Sequence, residues 1–221
     1  GVPVVSIGGF SLPGIPKYLA DKEHGFYTIT KHLLSLGYMK IDYLGTMIPN
    51  KCNRKYAWHT VGALNGFKRA TDEFKQTHAV DAHVELVTSL DNSTDKGNYN
   101  HGYLAMGQLL DKRSPRAVVC SNDSWALGGM RACVERGLRI PEDIAITGFE
   151  DELAGRYGAV PLTTVAHPLE EIADKAVAQL FDFIKKGITQ MQDELKIIRG
   201  KLIVRRSCGA YLQQSAGLNR Q

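Results

Sequence analysis

The stretch from Arg116 to Pro168 reads RAVVCSNDSWALGGMRACVERGLRIPEDIAITGFEDELAGRYGAVPLTTVAHP, and it decides the fold class. Two short apolar runs, AVVC at 117–120 and IAIT at 144–147, are separated by a helix-length segment that Gly137 ends. Continuous apolar runs of this length are typical of strands that are buried on both faces of a parallel sheet. Polar residues follow each run, at the point where open α/β sheets bind small molecules. The stretch therefore predicts an α/β fold with a ligand site at the strand ends.

The same alternation of strand and helix extends along the rest of the chain. Phe26, Ile29, Leu33 and Leu34 recur at helical spacing, which predicts one apolar helix face. The patterns predict strands at 2–7, 41–46, 84–87, 117–121, 144–147 and 202–205, and helices at 22–36, 57–74, 124–136 and 169–184, with a further helix around Met106. Residues 8–18 are predicted as a loop, and the segment after Gly187 as a polar linker. Such alternation indicates a parallel sheet with helices on both faces.

Composition excludes several classes of function. The 221 residues carry a formal net charge of +4, which does not indicate the concentrated basic face of a nucleic-acid-binding surface. The four cysteines have no CxxC spacing and no histidine at zinc-like spacing, so we expect buried, reduced thiols and no metal. No apolar run approaches the ~20 residues that a membrane span needs. The nucleophile, phosphate-binding and metalloprotease patterns GxSxG, GxxxxGK[ST] and HExxH do not occur, so we expect no enzyme and no cofactor.

Three blocks of sequence together resemble one known family. They are PRAVVCSNDSWALGGMRACVERGLRIPEDIAITGFEDE, YGAVPLTTVAHPLEEIADKAV and KLIVRRSC, in this order and spacing. The chain closely resembles the effector-binding core of LacI/GalR-type bacterial transcription repressors. The resemblance implies a type I periplasmic-binding-protein-like fold of two lobes, with a small effector, usually a sugar or nucleobase, between them. It also implies a homodimer that binds operator DNA through an N-terminal helix-turn-helix, which this chain does not contain.

Comparison with the family assigns the chain to a complete second lobe and a remnant of the first. Residues 1–18 correspond to the last strand and loop of the first lobe, and residues 19–166 to the effector-binding second lobe. Residues 167–197 correspond to a first-lobe helix and linker, and residues 198–221 to the final strand and tail of the second lobe. The chain also opens directly on an apolar strand. We therefore expect a piece of a longer protein. Unless residues that precede this piece cover the apolar face of the helix at 169–184, we expect an oligomer or a swapped contact to cover it.

The resemblance also implies a set of ligand contacts. Family positions that face the effector fall on Glu150, Asn122, His167, His59, Asp21 and Tyr99. Glu150 stands where the family carries an aspartate that accepts hydrogen bonds from the effector, and a solvated corner carboxylate is the alternative. His167 replaces a common glutamine, and it could instead bond a backbone carbonyl at the hinge. Tyr99 could equally be a surface residue of a loop.

Two neighbouring positions complete the interpretation of the site. Asp123 is expected to cap the helix that follows it rather than to contact a ligand. Ala63 occupies the place of a family arginine, so a bidentate contact with an anion is lost and an anionic effector loses support. We therefore predict a cytoplasmic repressor core that binds a sugar or a related polar metabolite. An extracytoplasmic sugar-binding protein of the same fold is the alternative.

Overall fold

The computed structural model describes residues 2–8, 13–46, 54–87, 98–188 and 191–212, and for 54–60, 87 and 98 the backbone alone. Within these ranges, strands and helices alternate along the chain. The strands are β1 (Ser6–Ile7), β2 (Lys17–Ala20), β3 (Lys40–Thr46), β4 (Asp81–Val87), β5 (Ala117–Cys120), β6 (Ala145–Thr147), β7 (Thr164–Ala166), β8 (Leu195–Ile198) and β9 (Lys201–Ile203). The helices are α1 (Lys22–Ser35), α2 (Arg54–Lys75), α3 (Asn98–Lys112), α4 (Asp123–Glu135), α5 (Leu153–Tyr157), α6 (Leu169–Lys185) and the 3₁₀ helix η1 (Arg206–Cys208).

The larger sheet has the strand order β4-β3-β5-β6 and is parallel throughout. Successive side chains of its central strand β5 point to opposite faces, because a strand has a period of two. Val118 and Cys120 pack with α3 and α4, whereas Ala117 and Val119 pack with α1 and α2. The prediction of a parallel sheet covered on both faces is therefore confirmed.

Helix α1 shows why the sequence forms this layer. Asp21 caps it by accepting a hydrogen bond from the His24 N–H at 2.9 Å. The predicted apolar face is buried along its whole length, with Phe26, Ile29, Leu33 and Leu34 all inside the core. Each of these side chains contributes about 1.5–3 kcal/mol on burial, so the face holds α1 firmly on the sheet.

Two glycines allow α3 and α4 to cross closely on the opposite face. A Cβ atom at Gly102 would overlap the carbonyl oxygen of Trp125, and one at Gly128 would overlap the carbonyl oxygen of Tyr99. Both obstacles are backbone atoms, which cannot turn aside as a flexible side chain can. The two helices therefore keep their separation only while both positions lack a side chain. The side chain of Trp125 is buried in this layer.

A smaller parallel sheet has the order β1-β2-β8 and carries α6. Helix α6 buries Ile172 and Ala176 against this sheet. Four other large apolar side chains of the helix are exposed, namely Leu169, Val177, Phe181 and Ile184, and Leu180 is half-buried. This exposure agrees with the prediction that the helix lacks most of its apolar partners within this chain.

The smaller sheet also corrects the sequence interpretation. Strand β2 begins in the segment predicted as loop and extends two residues beyond it, and β8 lies in the predicted polar linker. The two pair with each other over four residues, from Lys17 opposite Leu195 to Ala20 opposite Ile198. Strands this short show little periodicity in their own sequence. They are stabilised by pairing with a segment far away in the chain. The predicted domain limits at 18/19 and 197/198 each fall within one of these strands. The strand predicted over 2–7 is formed only at Ser6–Ile7, with Ile7 exposed.

Three chain segments connect the smaller sheet and its helix α6 with the rest of the fold, where β7 and β9 form a separate two-stranded sheet. Strand β2 leads through Asp21 into α1, β7 leads into α6, and β8 leads back into β9. Strands β7 and β9 pair antiparallel, with Val165 opposite Leu202. The backbone of Glu150 forms a bridge to Ala166, which ties the end of the larger sheet to the crossing. These crossings place the loops after several strands around one region.

The cysteines behave as the sequence predicts within the described ranges. Cys120, Cys133 and Cys208 are free and buried. Burial raises the pKa of the Cys120 thiol far above its usual range and that of Cys133 to about 12, so both stay protonated. Cys52 lies outside the described residues. None of the described helices is long and apolar enough to cross a membrane.

Candidate functional site

Two cavities lie at the crossings between the sheets. One, of about 340 Å³, lies between the end of β2, the start of α1, helix α2 and the end of β8; among the residues that line it are Asp21, Lys22, Asn65 and Arg69. The other, of about 400 Å³, is lined by Glu150, Asp151, Arg156, His167 and the first residues of α6, among others. Arg199 lines both cavities. Predicted site residues therefore occur in each, on both sides of one crossing.

Glu150 occupies a constrained corner after β6. Its φ angle is +117° and that of Asp151 is +59°, in a region that non-glycine residues seldom adopt. The Glu150 N–H donates to the Val165 carbonyl at 2.8 Å, which fixes this backbone against β7. Asp151 accepts from Arg205 Nη2 at 2.6 Å and from Arg156 Nη2 at 2.7 Å. The corner is held from three sides, and left-handed backbone of this kind costs about 1–3 kcal/mol, often at functional sites.

The carboxylate of Glu150 faces the ammonium of Lys22. Lys22 Nζ lies 3.9 Å from Glu150 Oε1 and 5.1 Å from the centroid of the Phe149 ring. Burial lowers the pKa of Lys22, while Glu150 opposes that shift. Burial also raises the pKa of Glu150, against the effect of Lys22 and together with nearby Glu152 and Asp123. Two opposite charges with reduced hydration thus meet where the first crossing reaches the larger sheet.

Asp21 and Arg199 form a second, more exposed pair beside the first. Arg199 Nε lies 3.7 Å from Asp21 Oδ2, and the guanidinium side chain is mostly exposed. The other carboxylate oxygen of Asp21 caps α1, so only part of this group is available to a ligand. Glu23 and Arg69 make a further pair at 2.8 Å on the same cavity wall. The charges of this wall therefore balance in pairs.

His167 lies next to Glu150, as the sequence predicts for a common site. Its N–H donates to the Glu150 carbonyl at 3.5 Å, and its ring meets the Phe149 ring edge-on at 6.5 Å. The imidazole lines the same cavity as the Glu150 side chain. His167 thus lies at the crossing and lines a cavity, and its contact with an effector stays a prediction.

The helix cap predicted for Asp123 is formed by its neighbour Asn122. Asn122 caps α4, since its Oδ1 accepts from the Trp125 N–H at 2.9 Å. Asp123 is fully buried, and it accepts from the Thr164 hydroxyl at 2.6 Å and from the Glu152 N–H at 2.7 Å. The cap prediction for Asp123 is wrong because its side chain turns inward to two donors. The ligand contact of Asn122 stays a prediction.

Tyr99 and His59 both lie on helices. Tyr99 is in the first turn of α3, not in a loop, and about half of it is exposed. Its hydroxyl donates to Glu152 Oε2 at 3.3 Å, and Glu152 also accepts from Ser124 at 2.8 Å. His59 lies on α2, where the structure describes the backbone alone. Tyr99 is not among the residues that line the two cavities.

Sequence reasoning missed three residues that shape this region, Lys22, Arg199 and Glu152. Lys22 and Glu152 do lie beside predicted positions, in the polar runs DKEH and FEDE. A pattern that could have identified these two residues was therefore present, namely charged residues directly after an apolar strand. Arg199 follows β8, a strand that the sequence did not reveal, so no local pattern marked it.

Comparison with known proteins agrees with this geometry. The profile of the periplasmic binding protein-like domain matches residues 30–208. The chain belongs to this family. A repressor, HTH-type transcriptional repressor PurR from Haemophilus influenzae (strain PittEE), is 32% identical over 196 residues, which cover 86% of this chain and 53% of the relative. The resemblance to the effector-binding core of LacI/GalR-type repressors is thereby confirmed.

Solved structures of the family have the same fold. A putative LacI-family regulator from Sanguibacter keddieii is 30% identical with a TM-score of 0.76, covering 94% of this chain and 72% of that one. A LacI-family regulator from Enterococcus faecium, solved with bound ribose, is 25% identical with a TM-score of 0.74, covering 93% and 70%. The chain spans about half the length of the curated relatives that it matches.

Proposed function

We propose that this chain is the effector-binding part of a LacI-type transcription regulator. The observation that carries the proposal is the meeting of Lys22, on the crossing out of the smaller sheet, with Glu150, at the end of a strand of the larger sheet. The cavity beside this pair is lined by strand residues of the smaller sheet, such as Ala20 and Ile197, and by α1 and α2, which pack on the larger sheet. The binding energy of a ligand there therefore depends on how the two sheets are arranged. That dependence is what an effector needs in order to shift a conformational equilibrium.

The proposed effector is a sugar or a related small polar metabolite. Glu150, His167 and Asp21 are the proposed direct contacts, because all three line cavities at the crossings. Asn122, His59 and Tyr99 are proposed further contacts on the family pattern. The related regulator from Enterococcus faecium holds ribose, which makes a pentose the first compound to test.

The proposed mode of action is binding without catalysis. Transcriptional repressors, the class to which the curated relatives belong, are not enzymes. The residues of the cavities also serve binding well, because carboxylate, amide and imidazole groups offer directed hydrogen bonds to hydroxyl groups. We favour this reading over an extracytoplasmic sugar-binding protein, since the relatives that cover most of this chain are repressors.

The proposal extends to the partners of the whole protein. The relatives are named as helix-turn-helix repressors, and we propose that operator DNA is bound through such a domain upstream of these residues, in the cytoplasm. A homodimer is the proposed assembly, because two-fold symmetry is the commonest arrangement for soluble oligomers and matches palindromic DNA sites. We further propose that the division into two lobes follows the two sheets.

A binding screen tests the proposed function. The chain is titrated with ribose, glucose, xylitol and hypoxanthine, up to 50-fold above the protein concentration, while ¹H–¹⁵N NMR spectra are recorded. We expect one compound to shift the backbone signals of Glu150 and His167. Glu150→Ala should weaken this compound at least tenfold, since the carboxylate is its main acceptor.

The matched control is Glu142→Ala, a glutamate on the exposed surface that lines neither cavity. It should bind like the unmodified chain. Shifts confined to residues outside the two cavities would contradict the proposed site. Binding that survives in Glu150→Ala would move the ligand away from that corner.

A further inference from the structure

The ammonium group of Lys22 is buried at the crossing, next to the proposed effector site. Lys22 is the first residue of α1, and its side chain is only 13% exposed. It lies against α2, where a Cβ atom at Gly62 would stand 3.6 Å from the Lys22 Cβ. Ala63, which follows Gly62 on α2, is buried and carries no charge. A cation is therefore present beside α2, but it comes from α1.

The pairing between Lys22 and Glu150 leaves hydrogen-bonding capacity unused. Their 3.9 Å separation exceeds the 2.7–3.2 Å of a direct hydrogen bond. An ammonium carries three donors and a carboxylate about four acceptor sites. Among the described residues, neither side chain has a hydrogen-bond partner in addition to this ion pair. The pair thus offers a ligand beside it donors from Lys22 and acceptors from Glu150.

The position of Glu150 is fixed, so this gap has a defined shape. Its backbone is held at a φ of +117° by the hydrogen bond to Val165 and by the anchored Asp151 beside it. The backbone at Lys22 is held as well, because Asp21 caps the helix that Lys22 begins, and the Lys22 side chain is only 13% exposed. A preorganised donor and acceptor of this kind select for ligand chemistry, since little energy is needed to arrange them.

We propose that Lys22 is a specificity-determining residue that, with Glu150, selects a neutral polyhydroxyl effector. One hydroxyl accepts from the Lys22 ammonium, and a neighbouring hydroxyl donates to the Glu150 carboxylate. An anionic sugar acid or sugar phosphate gains from Lys22 but is repelled by Glu150. A cationic ligand is attracted by Glu150 but repelled by Lys22. This inference rests on the proposed function and adds the charge class of the effector.

A purely structural ion pair makes a different prediction. Buried pairs often contribute little to stability, and breaking one leaves an uncompensated charge. A structural role therefore predicts a loss of stability in variants of either partner, with no change in which charge class binds. Selectivity between matched neutral and anionic ligands separates the two roles.

The test uses the full chain and two matched series of probes. One series is D-ribose, D-ribonate and D-ribose 5-phosphate, and the other is D-glucose, D-gluconate and D-glucose 6-phosphate. Affinities are measured by NMR titration for the unmodified chain and for Lys22→Met, Glu150→Gln and the double variant. Lys68→Met, an exposed lysine on α2, is the matched control.

We expect the unmodified chain to bind the neutral member of one series at least tenfold more tightly than its anions. Lys22→Met should weaken the neutral ligand at least tenfold. Glu150→Gln keeps the positive charge of Lys22 and removes the negative charge of Glu150. The ratio of neutral to anionic affinity should therefore fall at least tenfold, or reverse so that the anion binds more tightly. The double variant should bind neither class, and Lys68→Met should match the unmodified chain.

Three outcomes overturn the inference. An unchanged affinity of Lys22→Met for the neutral ligand shows that Lys22 does not contact it. An unchanged ratio of neutral to anionic affinity in Glu150→Gln shows that the pair does not set selectivity, and this variant decides the question even if Lys22→Met does not fold. If the unmodified chain binds no member of either series, sugar binding itself fails, and the role of Lys22 fails with it.

Discussion

The hydroxyl of Thr164 donates a hydrogen bond to Asp123 Oδ1 at 2.6 Å, and both residues are buried. The second oxygen of Asp123 accepts from the Glu152 N–H. One carboxylate thus joins the start of α4, strand β7 and the corner that presents Glu150. Burial raises the pKa of Asp123 to about 6, with both hydrogen bonds opposing the shift and the carboxylates of Glu152 and Asp151 adding to it.

The stability of the fold should therefore depend on the protonation of Asp123. The folded state binds its proton more tightly than the unfolded state, where an aspartate has a pKa of about 3.9. The resulting stabilisation is complete below pH 4 and is lost as the pH rises through 6. A difference of about 2 between the folded and the unfolded pKa corresponds to about 3 kcal/mol. Relative to Asp123→Asn, the free energy of unfolding of the unmodified chain should fall by this order between pH 4 and 7, as measured by urea denaturation.

Two variants check this assignment. Thr164→Val removes a donor to the ionised carboxylate, so the pKa of Asp123, followed by NMR of its side-chain carbon, should rise above 6. Asp111→Asn, at an exposed aspartate, is the matched control. An identical pH dependence in Asp123→Asn and the unmodified chain would contradict the prediction.

The cap of α4 should separate the stability role of Asn122 from its proposed ligand role. Asn122→Ala removes the acceptor for the Trp125 N–H and should cost about 1 kcal/mol in the free energy of unfolding. Asn122→Ser restores a capping oxygen and should recover most of that loss. If the amide also contacts the effector, Asn122→Ser recovers stability but not affinity. Equal stability of the Ala and Ser variants in urea would argue against the cap.

Close crossing of α3 and α4 should make Gly128 intolerant of a side chain. Gly128→Ala places a methyl group against the carbonyl oxygen of Tyr99 and should destabilise the fold by about 1–3 kcal/mol. Gly107→Ala is the matched control on α3, since its methyl group meets only the flexible guanidinium of Arg136 at 3.2 Å. That variant should be neutral or slightly stabilising, because alanine favours helices. Similar melting temperatures for both variants would refute this account of the crossing.

The exposed apolar side of α6 should promote self-association of this chain. Phe181→Ser and Ile184→Ser each remove a large apolar side chain that is more than half exposed. Covering such a group contributes about 1.5–3 kcal/mol, so each variant should weaken association at least tenfold. Sedimentation equilibrium over a range of concentrations measures this change. Asp174→Ser, a polar change on the same helix, should have no effect, and equal association of all four proteins would rule out α6 as the contact.

The sequence by itself determined the layered fold. The runs AVVC and IAIT have few polar atoms, so they are stable only inside a sheet that is covered on both faces. The spacing of Phe26, Ile29 and Leu33 determined which side of α1 is buried, because helical periodicity is a local property of the chain. Polar residues directly after β6 likewise located one wall of the candidate site, since strand ends are local features too.

Tertiary structure alone decided how the site is composed. Strands β2 and β8 exist because they pair with each other, and neither has enough residues to be recognised from its own pattern. Their pairing brings Arg199 to Asp21, and the crossing out of β2 brings Lys22 to Glu150. The inward turn of Asp123 depended in the same way on donors from Thr164 and Glu152. Ion pairs and buried hydrogen bonds join residues far apart in the chain, so only the folded backbone determines which charges meet.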